Sequence, residues 1–461
     1  MCPPFRADSA ASHSQYDAAL PVALGAPGYV REHEGMSSDG DPDCPGPRGS
    51  DPSGTPFAQL DPASLRAQRS SQKWSRYPAD VLPLFVAEMD YTVAPEIRSA
   101  LAERVAASDF GYLDGQAQSP LAPVFADFAR DRWGWDVDPG RVHLATDVSA
   151  GVVEVLRLVL ADRAGGGTAT GTRGRVALAT PAYPSFFEML EELGVEIVEV
   201  PLAVSDSADG PTATLDLAAV EASFAGETGV DAFLLCNPHN PHGLAHAAET
   251  LAALAALAAR HDVFVLSDEI HAPLVHRGVA FTPFAPVAEA AGARSVTATS
   301  ASKGWNLAGT KCSLVIAATA ADAALLDELP PEVGSRASIL GVHASIAAFR
   351  DARAWLDRAV ETVEANVALL RELVTDRLPG VRVTVPRAGY LAWLDLRDAG
   401  LGEDPHARIL AEARVALSNG HAFGAGGAGH VRINLACAPD TLRTAIDRIA
   451  ALPPVREGAT E

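Results

Sequence analysis

The chain has 461 residues, of which 48% are hydrophobic, and its 58 acidic against 36 basic side chains give a formal net charge of −22. That many apolar residues exceed what one ordinary domain buries, so two packed domains are expected. The negative charge repels phosphate backbones and anionic lipid, which argues against nucleic acid or a membrane surface as the main partner.

Residues 1–58 are rich in Asp, Ser, Pro and Gly and show no sustained periodicity. Such a composition buries too little apolar surface to order itself, which predicts a disordered acidic tail. The N-terminus lacks the basic and apolar regions of a secretory signal, and no apolar run reaches the roughly 18 residues of a membrane span. The five cysteines include no C-x-x-C pair, so neither a disulfide framework nor a zinc site is suggested. A reducing cytoplasm is the expected location.

Residues 59–105 are expected to form an N-terminal segment that joins the smaller domain. From about residue 140, short apolar runs alternate with helical segments such as Val152–Ala161 and Ala247–Arg260, as a sheet with crossover helices requires. The runs are apolar throughout, which is typical of a sheet covered on both faces. Residues 106–335 are thus predicted to form a large α/β domain with functional groups at the carboxyl ends of its strands. The predicted strands are Val142–Ala145, Arg175–Thr180, Ala232–Cys236, Val263–Ser267, Ser295–Thr299 and Cys312–Ala317.

Residues 336–461 show a different pattern, which predicts a smaller α+β domain. Its predicted elements are a long helix Ser338–Leu378, strands Val381–Val385 and Tyr390–Leu396 around the turn Pro386–Gly389, a strand His430–Ala436 and a closing helix Pro439–Ala451.

Lys303 lies in TSASKGWNLAGTK, after small hydroxylated residues and just past a predicted strand. An aldehyde cofactor held as a Schiff base needs an amine at a fixed point that loses its proton easily once partly desolvated. Lys303 fits that need, although a single lysine after a strand is more often a solvated surface residue. The residues around it decide between the two interpretations.

Two further strand ends carry polar residues. The segment SDEIH places Asp268 where a buried carboxylate would keep a pyridinium ring protonated, although a helix N-cap is the simpler interpretation. His271 either reaches a ring oxygen or satisfies a loop. In CNPHNPHG, Asn240 either donates to a phenolic oxygen or belongs to a structural turn. Arg432, in the apolar strand HVRINLA, needs an anion, either a substrate carboxylate or a salt-bridge partner.

A phosphate site is expected where the segment VSAGVV begins a helix after a strand. No Walker lysine and no G-x-G-x-x-G spacing accompany it, so a nucleotide is not indicated. The expected phosphate ligands are the backbone N–H groups of Ala150, Gly151 and Val152, the hydroxyls of Ser300 and Ser302, and the amine of Lys311.

The order and spacing of Asn240, Asp268, Lys303 and Arg432 resemble those of fold-type I pyridoxal 5'-phosphate (PLP) enzymes. Within the class I/II aminotransferase superfamily the sequence most resembles the MalY/PatB-type carbon–sulfur lyases, from about Leu60 to Leu452. The resemblance implies an α/β fold with a mainly parallel sheet of seven strands and a smaller α+β C-terminal domain. The four residues then bind ring oxygen, ring nitrogen, aldehyde and substrate carboxylate.

The narrower resemblance rests on KWSRYPADVLPLFVAEMDYTVAPEI, FGY, TPAYPSF, SDEIHAPLV and LSNGHAFGAGGAGHVRINLA. It implies that Tyr183 stacks on the cofactor ring as part of the catalytic set, that Tyr112 reaches the phosphate of the neighbouring subunit in a homodimer with shared active sites, and that Asp90 lies at the substrate. Either tyrosine is alternatively core packing. The chain departs from the lyases by reading A-E-M-D-Y for A-D-M-D-F, S-A-G for T-P-G, and Lys311 for an arginine, which leaves substrate preference open.

The resemblance implies a cysteine-S-conjugate β-lyase that converts L-cystathionine or a related conjugate to a thiol, pyruvate and ammonia, with Lys303 as general base. The same residues serve an aminotransferase acting on a small amino acid equally well. A PLP-binding regulatory or interaction protein is the alternative from another class, but the first 58 residues show no helix-turn-helix pattern and no basic patch.

Overall fold

The computed structural model describes residues 57–114, 119–163, 174–207, 210–226 and 229–455. The expected acidic tail, residues 1–58, lies outside these ranges except for its last two residues. Among the helices in these ranges, none combines the length and apolar character that crossing a membrane requires.

The strands alternate with helices through most of the described chain. The strands are β1 Leu82–Pro83, β2 Val142–Ala145, β3 Arg175–Thr180, β4 Glu196–Pro201, β5 Ala203–Ser207, β6 Gly210–Thr214, β7 Ala232–Cys236, β8 Phe264–Asp268, β9 Ser295–Thr299, β10 Ser313–Ala317, β11 Arg382–Thr384, β12 Leu391–Asp395, β13 Val415–Ala416, β14 Ser418–Asn419 and β15 His430–Asn434.

Single-turn 3-10 helices and one π-helical turn, Ile409–Ala413, supplement the α-helices. The α-helices are α1 Pro62–Gln68, α2 Gln72–Ser75, α3 Pro95–Ala106, α4 Leu121–Trp133, α5 Val148–Arg163, α6 Pro184–Leu193, α7 Leu217–Ala225, α8 Ala248–His261, α9 Phe284–Ala291, α10 Ala301–Gly304, α11 Ala320–Leu326, α12 Pro331–Ser335, α13 Ile339–Arg350, α14 Arg353–Arg377, α15 Pro405–Arg408 and α16 Pro439–Ala450.

The large sheet has seven strands in the order β2-β10-β9-β8-β7-β3-β4. Its central strands run parallel, and β10 is antiparallel to both of its neighbours. The six strands predicted from the sequence are all present, which confirms the α/β fold with a mainly parallel sheet. The seventh, β4, was not predicted because it is an edge strand whose exposed glutamates interrupt the apolar pattern.

Both faces of this sheet are covered. Along β3, Val176 and Leu178 pack into one hydrophobic cluster, while Ala177 and Ala179 pack into another. Successive side chains of a strand point to opposite faces, so a strand buried on both sides has no polar positions. This explains the continuous apolar runs seen in the sequence.

A second, antiparallel sheet has the order β11-β12-β15-β14. The short strand β1 runs parallel to β13, so the N-terminal segment packs beside this C-terminal part of the chain. The exposed hairpin β5–β6 was not expected, because its residues face solvent and show no apolar alternation. The domain boundaries drawn from the sequence stay a prediction.

The long helix expected over Ser338–Leu378 was wrong, because the chain forms two helices, α13 and α14, that break at Asp351 and Ala352. The N–H groups of both residues donate to Ala347 O at 2.9 Å, which ends α13. Trp305 Nε1 then donates to Ala352 O at 2.9 Å. A tertiary contact thus satisfies a carbonyl that a continuous helix would have used.

Candidate active site

Asp268 is the last residue of β8 and lies at the carboxyl edge of the large sheet, 6% exposed. Its Oδ1 accepts from the backbone N–H of Ile270 at 3.0 Å. Burial raises the pKa of Asp268 to about 6, and the hydrogen bond and the Lys303 charge oppose this only in part. A cation placed against this carboxyl group would favour its ionised form.

Lys303 lies in α10, immediately after β9, and its Nζ donates to Ala87 O at 3.0 Å. Burial, together with the Arg432 charge, lowers the pKa of Lys303 to about 8, while Asp268 and Glu88 act in the opposite direction. At that pKa roughly a tenth of the amine is neutral at pH 7, against less than about a thousandth for an unperturbed lysine. Lys303 is therefore suited to act as a nucleophile and as a base.

Asn240 and Arg432 meet in the structure although 192 residues separate them. Arg432 Nη1 donates to Asn240 Oδ1 at 2.9 Å, and Nη2 donates to Ser418 Oγ at 3.0 Å and to Phe85 O at 3.1 Å. The guanidinium also lies 5.1 Å from the Phe423 ring centroid. The contact places the expected site for a ring oxygen beside the expected site for a carboxylate.

His271 and Tyr183 border the same region. Burial, with the positive charges of Lys303 and Arg432, lowers the pKa of His271 to about 3, so its imidazole is neutral. Within the described chain, His271 Nδ1 is buried without a hydrogen-bond partner. Tyr183 precedes α6, half-buried, with its ring centroid 5.6 Å from that of Phe186.

The expected phosphate cradle is capped by Asp147, which the sequence did not single out. Ala150 N donates to Asp147 Oδ1 at 2.9 Å and Gly151 N donates to Asp147 O at 3.0 Å. Lys311 Nζ donates to Asp147 Oδ2 at 2.7 Å. A Cβ on Gly151 would lie 2.9 Å from Val315, so this glycine permits close packing of α5 on β10. A bound phosphate would compete with Asp147 for Lys311 and for the Ala150 N–H.

Three other expected phosphate ligands have the following surroundings. Val152 lies within α5 and is fully buried. The Ser300 hydroxyl caps α10, accepting from Ser302 N at 3.0 Å and donating to Cys312 O at 2.6 Å. Ser302 therefore has the freer hydroxyl of the two serines. An aspartate just before a helix is a recognisable N-cap, so its position in the sequence could have identified Asp147.

Two expected site residues, Asp90 and Tyr112, make no hydrogen bond to the residues described above. Asp90 is 1% exposed and its carboxylate pairs with Lys73 Nζ at 2.7 Å, so a place for Asp90 at the substrate stays a prediction. Tyr112 is fully exposed. The sequence also missed Tyr390, whose hydroxyl donates to Ala87 O at 3.0 Å. Nothing in the pattern of a buried strand distinguishes such a tyrosine from core packing.

Comparison with known proteins identifies the family. The model of the aminotransferase class I and II family matches residues 79–449, and the chain belongs to that family. A Mycobacterium leprae protein provisionally named as a cystathionine beta-lyase is 42% identical over 414 residues, covering 86% of this chain and 97% of that one. The cystathionine beta-lyase PatB of Bacillus subtilis is 31% identical over 399 residues, covering 85% and 99%.

A solved structure extends the likeness to the fold. It is a provisionally assigned PLP-dependent beta-cystathionase from Corynebacterium diphtheriae, 35% identical, with a TM-score of 0.76 over 86% of this chain and 98% of that one. The family match over residues 79–449 includes the carboxyl edge of the large sheet and the strand that carries Arg432.

Proposed function

We propose that the chain is a PLP-dependent carbon–sulfur β-lyase that cleaves L-cystathionine or a related cysteine S-conjugate. The observation that carries the proposal is the convergence of a largely desolvated Lys303, a buried Asp268 carboxyl and the Asn240–Arg432 pair at one edge of the sheet. These groups fit an aldehyde, a ring nitrogen, a ring oxygen and a carboxylate. The names of the M. leprae and B. subtilis relatives favour the lyase over other reactions of the family.

When bound, PLP supplies an aldehyde carbon and a protonated ring that accepts electrons from the substrate Cα. Asp268 holds the proton on the ring nitrogen as its counter-ion. Asn240 Oδ1 accepts from Arg432, which leaves its Nδ2 as the donor for the ring oxygen. The neutral His271 can donate to the same oxygen.

Lys303 and Arg432 act on the substrate. Arg432 binds the α-carboxylate and fixes the orientation of the Cα–H bond. The neutral amine of Lys303 removes the Cα proton, and the C–S electron pair leaves with the thiolate. Overall, one water is consumed and thiol, pyruvate and ammonia are released.

The test is production of thiol and pyruvate from L-cystathionine by the purified, PLP-loaded protein without any keto acid. We expect both products in equal amounts, and a loss of at least about 100-fold on Lys303→Ala because the base is removed. If turnover requires a keto-acid acceptor, the aminotransferase interpretation replaces the lyase. Full activity of Lys303→Ala would exclude both.

We also propose a homodimer in which Tyr112 reaches the cofactor phosphate of the partner subunit. Val105, Phe110 and Tyr112 are 55%, 58% and fully exposed, and they make up three of the five exposed large hydrophobic residues of the described chain. A cluster of this kind on one short segment is typical of an interface.

Mixing two inactive variants tests the shared site. A dimer of one Lys303→Ala and one Tyr112→Ala subunit has one site with both native residues, so it should regain activity that neither variant has alone. Sedimentation gives the oligomeric state. A monomer, or no recovery in a mixed dimer, would contradict the proposal.

We place the enzyme in the cytoplasm. The described cysteines Cys236, Cys312 and Cys437 are unpaired and buried, as is usual for proteins of a reducing compartment.

A further inference from the structure

The chain from Phe85 to Met89, here called the crossing segment, contacts the candidate active site through its backbone. Its carbonyl oxygens are held mainly by side chains that are distant in sequence. The donors are Arg432 and Ser418 to Phe85 O, Asn434 to Val86 O and Glu88 O at 2.7 Å each, Lys73 to Glu88 O at 3.0 Å, and Arg69 and Asn306 to Met89 O at 2.6 and 2.9 Å.

The carbonyl at the centre of the crossing segment, Ala87 O, accepts from Lys303 Nζ and from Tyr390 Oη, both at 3.0 Å. Of all the donors to the segment, Lys303 is the one that has to move in the proposed reaction. While its amine is engaged elsewhere, Tyr390 is the side chain that still holds the Ala87 carbonyl.

We propose that Tyr390 is a positioning residue for Lys303, because its hydroxyl shares the Ala87 carbonyl with the amine and so keeps this oxygen in place while limiting how strongly it binds the lysine. The proposal rests on the role assigned to Lys303 above. Tyr390 need not touch the substrate.

The geometry allows Tyr390 only one role in this contact. Its side chain is 0% exposed, and burial keeps the pKa of its hydroxyl above the ordinary value, so the hydroxyl is protonated and donates. A carbonyl oxygen has two acceptor positions, and each donor withdraws electron density that the other would use. The Tyr390 bond therefore weakens the hold of Ala87 O on a Lys303 ammonium.

The other charged and polar groups that act on Lys303 come from several elements. Asp268 at the end of β8 and Glu88 in the crossing segment favour its charged form, whereas Arg432 in β15 opposes it. His271 follows β8 and is neutral. All of these side chains remain in Tyr390→Phe, and the contact with Lys303 that the substitution changes directly is the shared carbonyl.

The experiment compares Tyr390→Phe with Tyr91→Phe in the cofactor-free protein. Tyr91 is also 0% exposed, but its hydroxyl has no hydrogen-bond partner within the described residues, so its removal controls for the loss of a buried oxygen. The sequence has only three lysines, Lys73, Lys303 and Lys311. Acetylation of each can therefore be followed by mass spectrometry over a range of pH.

In Tyr390→Phe, Ala87 O loses its second donor and accepts more strongly from Lys303. The ammonium form of Lys303 should therefore be stabilised relative to the neutral amine. We expect the pKa of Lys303 to rise, the neutral fraction at pH 7 to fall about three- to tenfold, and the rate of PLP capture to fall by the same factor. Tyr91→Phe should leave the Lys303 titration unchanged. Incorporation of 3,5-difluorotyrosine at 390, a stronger donor, should shift the titration in the opposite direction.

An unchanged or lowered Lys303 titration in Tyr390→Phe, or an equal rise in both variants, would overturn the proposal. The measurement needs no turnover, so it separates failure of this inference from failure of the proposed lyase reaction. A protein that produced no pyruvate but still showed the shift would retain the Tyr390 assignment.

Discussion

At the residue scale, burial raises the pKa of Asp268 and lowers the pKa of Lys303, because it disfavours the charged form of each group. The carboxyl pKa is raised to about 6 and the amine pKa is lowered to about 8, so each group is closer to its neutral form than in water. In the proposed function, the same desolvation that costs free energy in the cofactor-free protein suits Asp268 to a pyridinium partner and Lys303 to the role of a base.

Asp147 provides a prediction at this scale. Asp147→Asn keeps the helix cap but removes the charge that pairs with Lys311, so Lys311 becomes available to a phosphate. We expect PLP to bind about two- to fivefold more tightly, since a partly exposed pair is worth at most about 1 kcal/mol. Titration with pyridoxal, which has no phosphate, is the control and should give equal affinities. An equal gain for both ligands would contradict the role of the charge.

At the element scale, the separation of α13 from α14 shows how a side chain from elsewhere ends a helix. Propensity alone favours continuing through Asp351 and Ala352, since neither glycine nor proline stands there. Trp305, from the segment after Lys303, is 0% exposed and holds the Ala352 carbonyl. The break therefore ties the start of α14 to the end of α10, the helix that carries Lys303.

Removing this donor should cost more than removing an indole that makes no such bond. Trp305→Phe leaves Ala352 O without its partner, whereas Trp355 Nε1 is buried with no partner in the described ranges. We expect the free energy of unfolding to fall about 1–2 kcal/mol further for Trp305→Phe than for Trp355→Phe. Urea unfolding of the two variants measures this difference. Equal losses would mean that volume alone matters.

At the scale of the whole molecule, several titratable groups are buried in their neutral forms. Burial lowers the pKa of His242 and His246 to about 4 each, holds that of His239 well below its ordinary value, and raises that of Glu269 to about 8. In the unfolded chain these groups titrate near their ordinary values. Because the pKa values differ between the folded and unfolded chain, the free energy of unfolding depends on pH. The histidines and the carboxyl group contribute with opposite signs.

The signs of these shifts predict that stability falls as the pH drops below about 6.5. A histidine with a lowered folded pKa contributes stability above pH 6.5, which is lost as the pH falls toward its folded value. A carboxyl with a raised folded pKa contributes stability at low pH, which is lost as the pH rises to its folded value, about 6 for Asp268 and about 8 for Glu269. Between about pH 5 and pH 6.5 the stability lost through four histidines exceeds the stability gained through two carboxyl groups. The histidines are His239, His242, His246 and His271.

Urea unfolding of the cofactor-free protein between pH 4.5 and 9 checks this profile, by the linkage of pKa shifts to stability. His242→Gln should flatten the acid side, because one fewer histidine takes up a proton on unfolding. A free energy of unfolding that rises steadily from pH 7 to pH 5 would contradict the assignment.

The sequence by itself determined the central strands of the large sheet and the order of the polar residues at their ends. Strands buried on both faces carry uninterrupted apolar runs, and the parallel arrangement gathers their carboxyl ends at one edge. This is why Asp268 and Lys303 could be expected near each other from their positions alone. The α/β fold followed from these local patterns and the family from the resemblance of the residues at the strand ends, whereas the Schiff base at Lys303 stays a prediction.

Only the tertiary structure decided the remaining features. Tyr390 and Lys303 reach Ala87 across 303 and 216 residues, and Ala87 contributes a carbonyl that every residue type possesses. Lys73 likewise pairs with Asp90 in a way that no spacing reveals. The physical reason is that hydrogen bonds to a backbone atom, and ion pairs between distant segments, leave no periodicity in the sequence. They exist only once the apolar runs have packed the chain around them.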